Sequence, residues 1–480
     1  MRRQKYFIPA LFFAFVLQVG FFSGCKKLEN IKASTTKTEV ELFDALINPV
    51  SGARDLRLKV VHLHNDTVYI LNGTNFVREA GEQLIIDEGV LVKVKIEPGG
   101  GSGIIIKQGG IITAKGTAKN PIVFTSNQQA GLQGINWAGI NIQGKSFNNE
   151  RGTTVDAADF SGVLEYVRIE FAPLILDAVG NKTVIENIMV SYTNKEKFDL
   201  YQNAFNIYGG TFNARNIISY ACGGPSDFLI SNGYTGNMQN IIACRHPFFG
   251  QSGFGEDNSN ALTGVFIQNN SSNNSNAKPY SNPVISNLTV IGPNGYNGTP
   301  QDYQDTMMRS AALATTNRAC FQIRNSVFLG YPAGGWFLND SVVARYVEDS
   351  VAQFNYSYIH SNTPHRLFYL APSIYNTYVR FYTSAEFKNY MLGPRFVNKA
   401  VENPADFMFT NIKDFDFGPG LLPLEGSPLL KGASFSGSNY FSNSSYFNKQ
   451  ITYIGALGTD DWMKDWTNFH PLKTNYNFPQ

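Results

Sequence analysis

Five short segments of this chain superimpose: IENIMV (185–190), ARNIIS (214–219), MQNIIA (238–243), ISNLTV (285–290) and IRNSVF (323–328). Each carries an asparagine just ahead of strand-forming residues: Asn187, Asn216, Asn240, Asn287 and Asn325. The steps between them are 29, 24, 47 and 38 residues. The 47-residue step reads as nearly two turns of 24, and the 38-residue step as one turn with an insertion. LEYVRI (164–169) fits one turn earlier, with Tyr166 in the asparagine place. The strongest match sets YGGTFNARN (208–216) on NGYTGNMQN (232–240). A recurring unit of this length, with several short strands in each, must bury its apolar side by stacking on its neighbours. Asparagine suits the turn into a strand because it tolerates the left-handed conformation, and its amide can bond the asparagine above and below. No leucine-rich consensus is present, and the strands are too irregularly spaced for four-stranded propeller blades.

Further short strands begin at about residue 66, among them TVYIL (67–71), VLVKVKI (90–96), GIIIK (103–107) and PIVFTS (121–126). Helical spacing is absent there. Aromatics make up 14% of the 480 residues, and glycine is abundant, which suits strands joined by tight turns. Charged residues are only 16% and the net charge is +2. That balance excludes a disordered charged tail and a strongly basic nucleic-acid binder. The expectation is an all-β solenoid of the parallel β-helix type with irregular N- and C-terminal caps. Its divisions are a signal peptide (1–24), a tether and N-terminal cap (25–65), the β-helix (66–360) and aromatic-rich coils and cap (361–480). Thr38 to Leu46 reads as a short helix. A second helix near Ser384–Met391 and a terminal strand, ITYIG (451–455), are expected in the C-terminal cap.

The N-terminus has a basic start (Arg2, Arg3, Lys5), an apolar stretch from Phe7 to about Phe22, and small residues before Cys25. This is the pattern of an export signal. Phe22-Ser23-Gly24-Cys25 resembles a bacterial lipobox, which makes Cys25 the lipidated first residue of the mature chain. Two acyl chains anchor stably where one does not. The other cysteines, Cys222, Cys244 and Cys320, are odd in number. They read as three buried small residues, with a Cys222–Cys244 disulfide as the alternative.

The runs IEPGGGSGIIIKQGGIITAKGTAKNPIVFTS (96–126), INWAGINIQG (135–144), GVLEYVRIEFA (162–172) and YIGALGTDDWMKDWTNFHP (453–471) resemble exported right-handed parallel β-helix proteins of Bacteroidota. The likeness spans roughly residues 66 to 471. It implies a right-handed solenoid and life in the cell envelope. It implies no reaction, because that family is largely without assigned activity. Relatives often carry paired acidic residues before the glycine turn. Here only Asp227 keeps that character, which implies that a calcium site of that kind is lost.

A polysaccharide lyase on such a fold needs carboxylates for Ca²⁺ and a basic residue. The candidates are Asp227, Glu256, Asp257, Asp302, Asp305 and Arg309. Glu165 and Glu186 stack by the repeat, with Glu170 nearby; a solvated outer face is the plainer account. His62 and His64 can share one strand face, but two histidines make a weak metal site and no third His or Cys lies nearby in sequence. The asparagine-rich stretch 269–276 reads as a flexible excursion, or as a lip over a groove. Trp336, Trp462 and Trp466 could stack on sugars or fill the cap. The reading is an outer-membrane lipoprotein, on either the periplasmic or the cell-surface face, anchored at Cys25. It is expected to bind a glycan or another envelope protein without catalysis, with no nucleic-acid partner, no metal and no cofactor, Ca²⁺ being the one ion left open. The alternative is a polysaccharide lyase or glycoside hydrolase.

Overall fold

The computed structural model describes residues 37–42, 59–72, 75–95, 102–127, 137–151, 155–193, 203–246, 263–272, 274, 276–293, 311–331, 334–371, 374, 380–412 and 418–476. They form a right-handed parallel β-helix. Each coil feeds two sheets. The larger holds seventeen of the described strands and the smaller ten.

Between residues 162 and 291 each coil lays one long strand in the larger sheet: Gly162–Glu170, Val184–Ser191, Asn213–Tyr220, Asn237–Cys244 and Val284–Ile291. Every one contains a single non-glycine residue in the left-handed conformation. These are Tyr166, Asn187, Asn216, Asn240 and Asn287, with φ from 51° to 59°. That residue drops out of the register, so Glu165 faces Glu186 and Val167 faces Ile188. The strand bends there, and the sheet folds into two faces of the coil. Earlier coils make the same bend with two separate strands, such as Val60–Leu63 and Thr67–Asn72. Later coils return to that form at Asn325 (φ 55°) and Tyr356 (φ 53°).

The stacked asparagines bond as a ladder over three coils. Asn216 Nδ2 donates to Asn187 Oδ1 at 3.0 Å, and Asn240 Nδ2 donates to Asn216 Oδ1 at 3.0 Å. The ladder then changes partners. Asn287 accepts from Gln239 Nε2 at 3.2 Å and donates to the Tyr453 carbonyl at 2.9 Å. Asn325 donates to Ser286 Oγ at 3.1 Å and accepts from Ser434 N at 2.8 Å. The 47-residue step is one coil, not two, since Asn237–Cys244 pairs directly with Val284–Ile291.

The core runs down the inside as columns. In the smaller sheet Ile104, Ile140, Leu174, Phe205, Phe228, Val265, Leu313, Trp336 and Phe368 stand in consecutive register. All are fully buried or nearly so. Phe205 and Phe228 stack with centroids 4.7 Å apart. A continuous column of this kind buries large apolar area at about 25 cal/mol per Å².

Three expectations need correction. Thr38–Leu42 is a strand, paired in parallel with Thr67–Asn72, so coil pairing overrides any local helical preference. Parallel pairing also continues beyond residue 360, as Tyr358–Ile359 pairs with Lys399–Ala400. Residues 451–455 form no strand. Instead the segment 434–469 runs back along the corner where the asparagines stack. Arg324 donates to the Ser434 and Ser436 carbonyls, Gln239 Oε1 accepts from Asn448 N at 2.8 Å, and Tyr446 OH donates to the Ala214 carbonyl. Tyr192 OH reaches the Phe469 carbonyl at 3.2 Å. The helix Ser384–Met391 lies where the sequence placed it, closed by a capping box between Thr383 and Glu386. A further helix, Ser341–Glu348, is capped by Asp340.

Candidate functional site

Alternation along the smaller sheet sends every second residue outward. The register lines up Ile105, Asn141, Ile175, Asn206, Leu229, Phe266, Ala314, Phe337 and Tyr369 as one outer row. Most of these side chains are half-buried, and none is a carboxylate. Phe337 and Tyr369 stack with centroids 5.4 Å apart, and the Arg366 guanidinium lies 5.0 Å from the Tyr369 ring. The row therefore offers apolar faces, the amide of Asn141 and an aromatic pair, the surface types that receive a sugar ring or an extended partner, whereas the Asn206 amide is buried and bonded to Asn203 and Tyr208.

Beside this row stands Asp177, on the strand Leu174–Asp177, facing Tyr208 of the next coil. Asn148 Nδ2 donates to its Oδ1 at 2.8 Å, and Arg151 pairs with its Oδ2. Burial pushes its carboxyl above the ordinary value, and the Asn148 bond and Arg151 charge oppose that. Glu150 lies close by. Burial works to raise its pKa, but bonds from Ser271, Ser272 and Asn232 outweigh it and hold it low. These two carboxylates were not singled out in the sequence. Both accept bonds from protein donors; Asp177 is buried, whereas Glu150 is exposed.

Asp227 belongs to the interior. It is fully buried. Its Oδ2 accepts from Arg245 Nε at 2.8 Å, and its Oδ1 from Ser219 Oγ at 2.6 Å. Arg245 spends its remaining donors on the carbonyls of Cys222, Gly224, Pro225 and Thr263. Burial raises the Asp227 pKa, opposed by the adjacent guanidinium. This is a closed structural ion pair, and the catalytic assignment of Asp227 has no access to support it. Glu256, Asp257, Asp302, Asp305 and Arg309 lie outside the described residues, as does Cys25.

Glu165 and Glu186 stack as the repeat requires, and the charge is compensated along the same line. Lys115 Nζ lies 3.3 Å from Glu165, and Arg215 is in register with Glu186. Cys222, Cys244 and Cys320 are buried and unpaired, so the alternative of a disulfide is set aside. The start of the asparagine-rich stretch is fastened to the coils. Asn269 and Asn270 are buried. Asn149 Nδ2 donates to the Asn269 carbonyl at 2.9 Å, and Asn270 Nδ2 donates to Asn149 Oδ1 at 2.7 Å. Trp336 and Trp466 are fully buried, and Trp462 gives its indole N–H to the Ala456 carbonyl at 2.9 Å, so these rings fill core and cap.

At the first coils His62 and His64 meet a third group. The register sets Leu63 beside Ile86, so the following residues, His64 and Asp87, lie side by side. His62 Nε2 is 2.7 Å from Asp87 Oδ1, and His64 Nδ1 is 3.0 Å from Oδ2. Bonding from His62 holds the Asp87 carboxyl below its usual range, with slight burial opposing and His64 assisting. Asp87 lies one coil after His64, which is the distance that the repeat spacing could have pointed to.

No helix among the described residues is long and apolar enough to cross a membrane. No curated protein and no solved structure matches the chain. A family model for a pectate-lyase-like beta helix domain matches residues 56–360, more than half of the chain. The parallel coils agree with that match, and the chain belongs to the pectate-lyase-like β-helix family.

Proposed function

We propose that this chain is a lipid-anchored cell-envelope protein that binds a glycan along the outer row of its smaller sheet and does not cleave it. The observation that carries this reading is the composition of the row. Phe266, Phe337 and Tyr369 supply ring faces, Asn141 supplies an amide, and Ile175 and Leu229 supply apolar surface between them. Sugar rings have apolar faces that stack on aromatics and hydroxyls that pair with amides. Lyase or hydrolase chemistry needs carboxylates or a base held out to the substrate. The carboxylates on the row's own strands, Asp177 and Asp227, are instead committed to Arg151, Asn148 and Arg245. The anchor is the acylated Cys25, which places the protein at the outer membrane, on its periplasmic or its outer face.

A glycan-array screen of the chain beginning after Cys25, with product analysis of every hit, tests the proposal. Retention of a glycan without new reducing or unsaturated ends supports it. Cleavage of a bound glycan refutes it. Absence of any glycan hit transfers the row to a protein partner.

A further inference from the structure

We infer that His62, His64 and Asp87 form a binding site for a zinc-type divalent cation, one that clamps the first coil to the second. The site is built by the repeat. His62 and His64 are two residues apart at the strand Val60–Leu63, so both imidazoles leave the same side while Leu63 turns into the core. Their rings lie with centroids 4.1 Å apart, tilted by 45°. Asp87 follows the strand Gln83–Ile86 of the next coil, and its N–H bonds the Leu63 carbonyl at 3.0 Å. One donor atom from each of the three residues lies within 4.8 Å of the other two.

The donor set fixes the class of ion. Two imidazoles and one carboxylate suit zinc and its transition-metal neighbours. Ca²⁺ and Mg²⁺ require oxygen donors and are disfavoured here. Zinc bonds of about 2.0–2.1 Å in tetrahedral array set ligand atoms roughly 3.3 Å apart. The His–Asp separations of 2.7 and 3.0 Å are hydrogen-bond lengths and the three ligand atoms lie within 4.8 Å of one another, so the ion enters with side-chain shifts of about 1–2 Å. The side chains are 40%, 56% and 38% exposed, which leaves an open fourth position for water. His62 would coordinate through Nε2 with its proton on Nδ1, and His64 through Nδ1 with its proton on Nε2. The cation would replace two N–H···O bonds with three coordinate bonds spanning two coils. Binding to the folded chain alone then raises its stability by mass action.

Titration of ZnCl₂ into the chelator-treated, untagged full chain in detergent, followed by calorimetry and thermal melting, tests this. The expected result is one ion per chain with Kd at or below about 10 μM, a rise in Tm with ZnCl₂, and no rise with CaCl₂. His64→Gln and Asp87→Asn should each weaken binding at least about tenfold. His365→Gln, an exposed histidine on a distant 3-10 turn, should not weaken it. Co²⁺ loading of the unmutated chain gives a second readout independent of variant folding, since inner-sphere histidine ligation changes its visible spectrum from that of the hydrated ion. Absence of saturable uptake, uptake unchanged by His64→Gln, or a hydrated-ion Co²⁺ spectrum would each overturn the inference.

Discussion

An asparagine at a left-handed corner does two jobs at once. It tolerates positive φ at little cost, and its amide bonds along the stack. Asn216 does both, with φ 57° and a bond to the coil on each side. Asn216→Ala should destabilise by about 2–3 kcal/mol, combining the left-handed penalty with two lost bonds. Asn216→Gly should recover roughly 1 kcal/mol of that, because only the backbone term is relieved. Chemical denaturation of both variants checks the difference, and equal losses would argue against the division. Tyr166 and Tyr356 hold the same corner without the amide, which is why an asparagine search alone does not mark every coil. Asp227 teaches the opposite lesson. A carboxylate near a glycine turn reads as a ligand in sequence, but Arg245, 18 residues later, takes the cation's place. Asp227→Asn should cost about 3–5 kcal/mol, since it strands a buried guanidinium. Any ligand bound by the folded protein should still bind to it, and a selective loss of binding at unchanged stability would restore a functional role.

At the scale of elements, the strands were legible and the tail was not. Period and β-branched content locate coils because each coil repeats the same local problem. The segment 434–469 solves a different one: it covers the corner carbonyls and amides that the coils leave over. Its partners lie far away in sequence, as with Tyr446 and Ala214, so no local pattern announces it. Arg324 is the main tie. It is nearly fully buried, donates to the Ser434 and Ser436 carbonyls, and lies 5.1 Å from the Phe441 ring. Arg324→Met keeps the stem but removes the donors. A loss of about 2–3 kcal/mol is expected, together with faster proteolysis within 434–447. Unchanged protection of that stretch would show that the apolar cluster of Phe435, Phe441 and Phe447 holds the tail without the arginine.

Across the whole molecule, the same stacking that builds the core also builds continuous outer rows. The fold was readable from the spacing of Asn187, Asn216 and Asn240. The outer row was not, because Ile175, Asn206, Leu229 and Phe266 are unremarkable in sequence and become one row only through register. Asp87 joined His62 for the same reason, across a coil rather than along a strand. The most direct test of the binding account is the affinity of a retained glycan for the unmutated chain, Phe337→Ala and Tyr369→Ala, with Asp227→Asn as the structural control. The account predicts intact glycan throughout, about tenfold or greater weakening for each aromatic variant, equivalent to ~1.4 kcal/mol, and little change for folded Asp227→Asn. Cleaved glycan, or aromatic variants that bind as tightly as the unmutated chain, would contradict it.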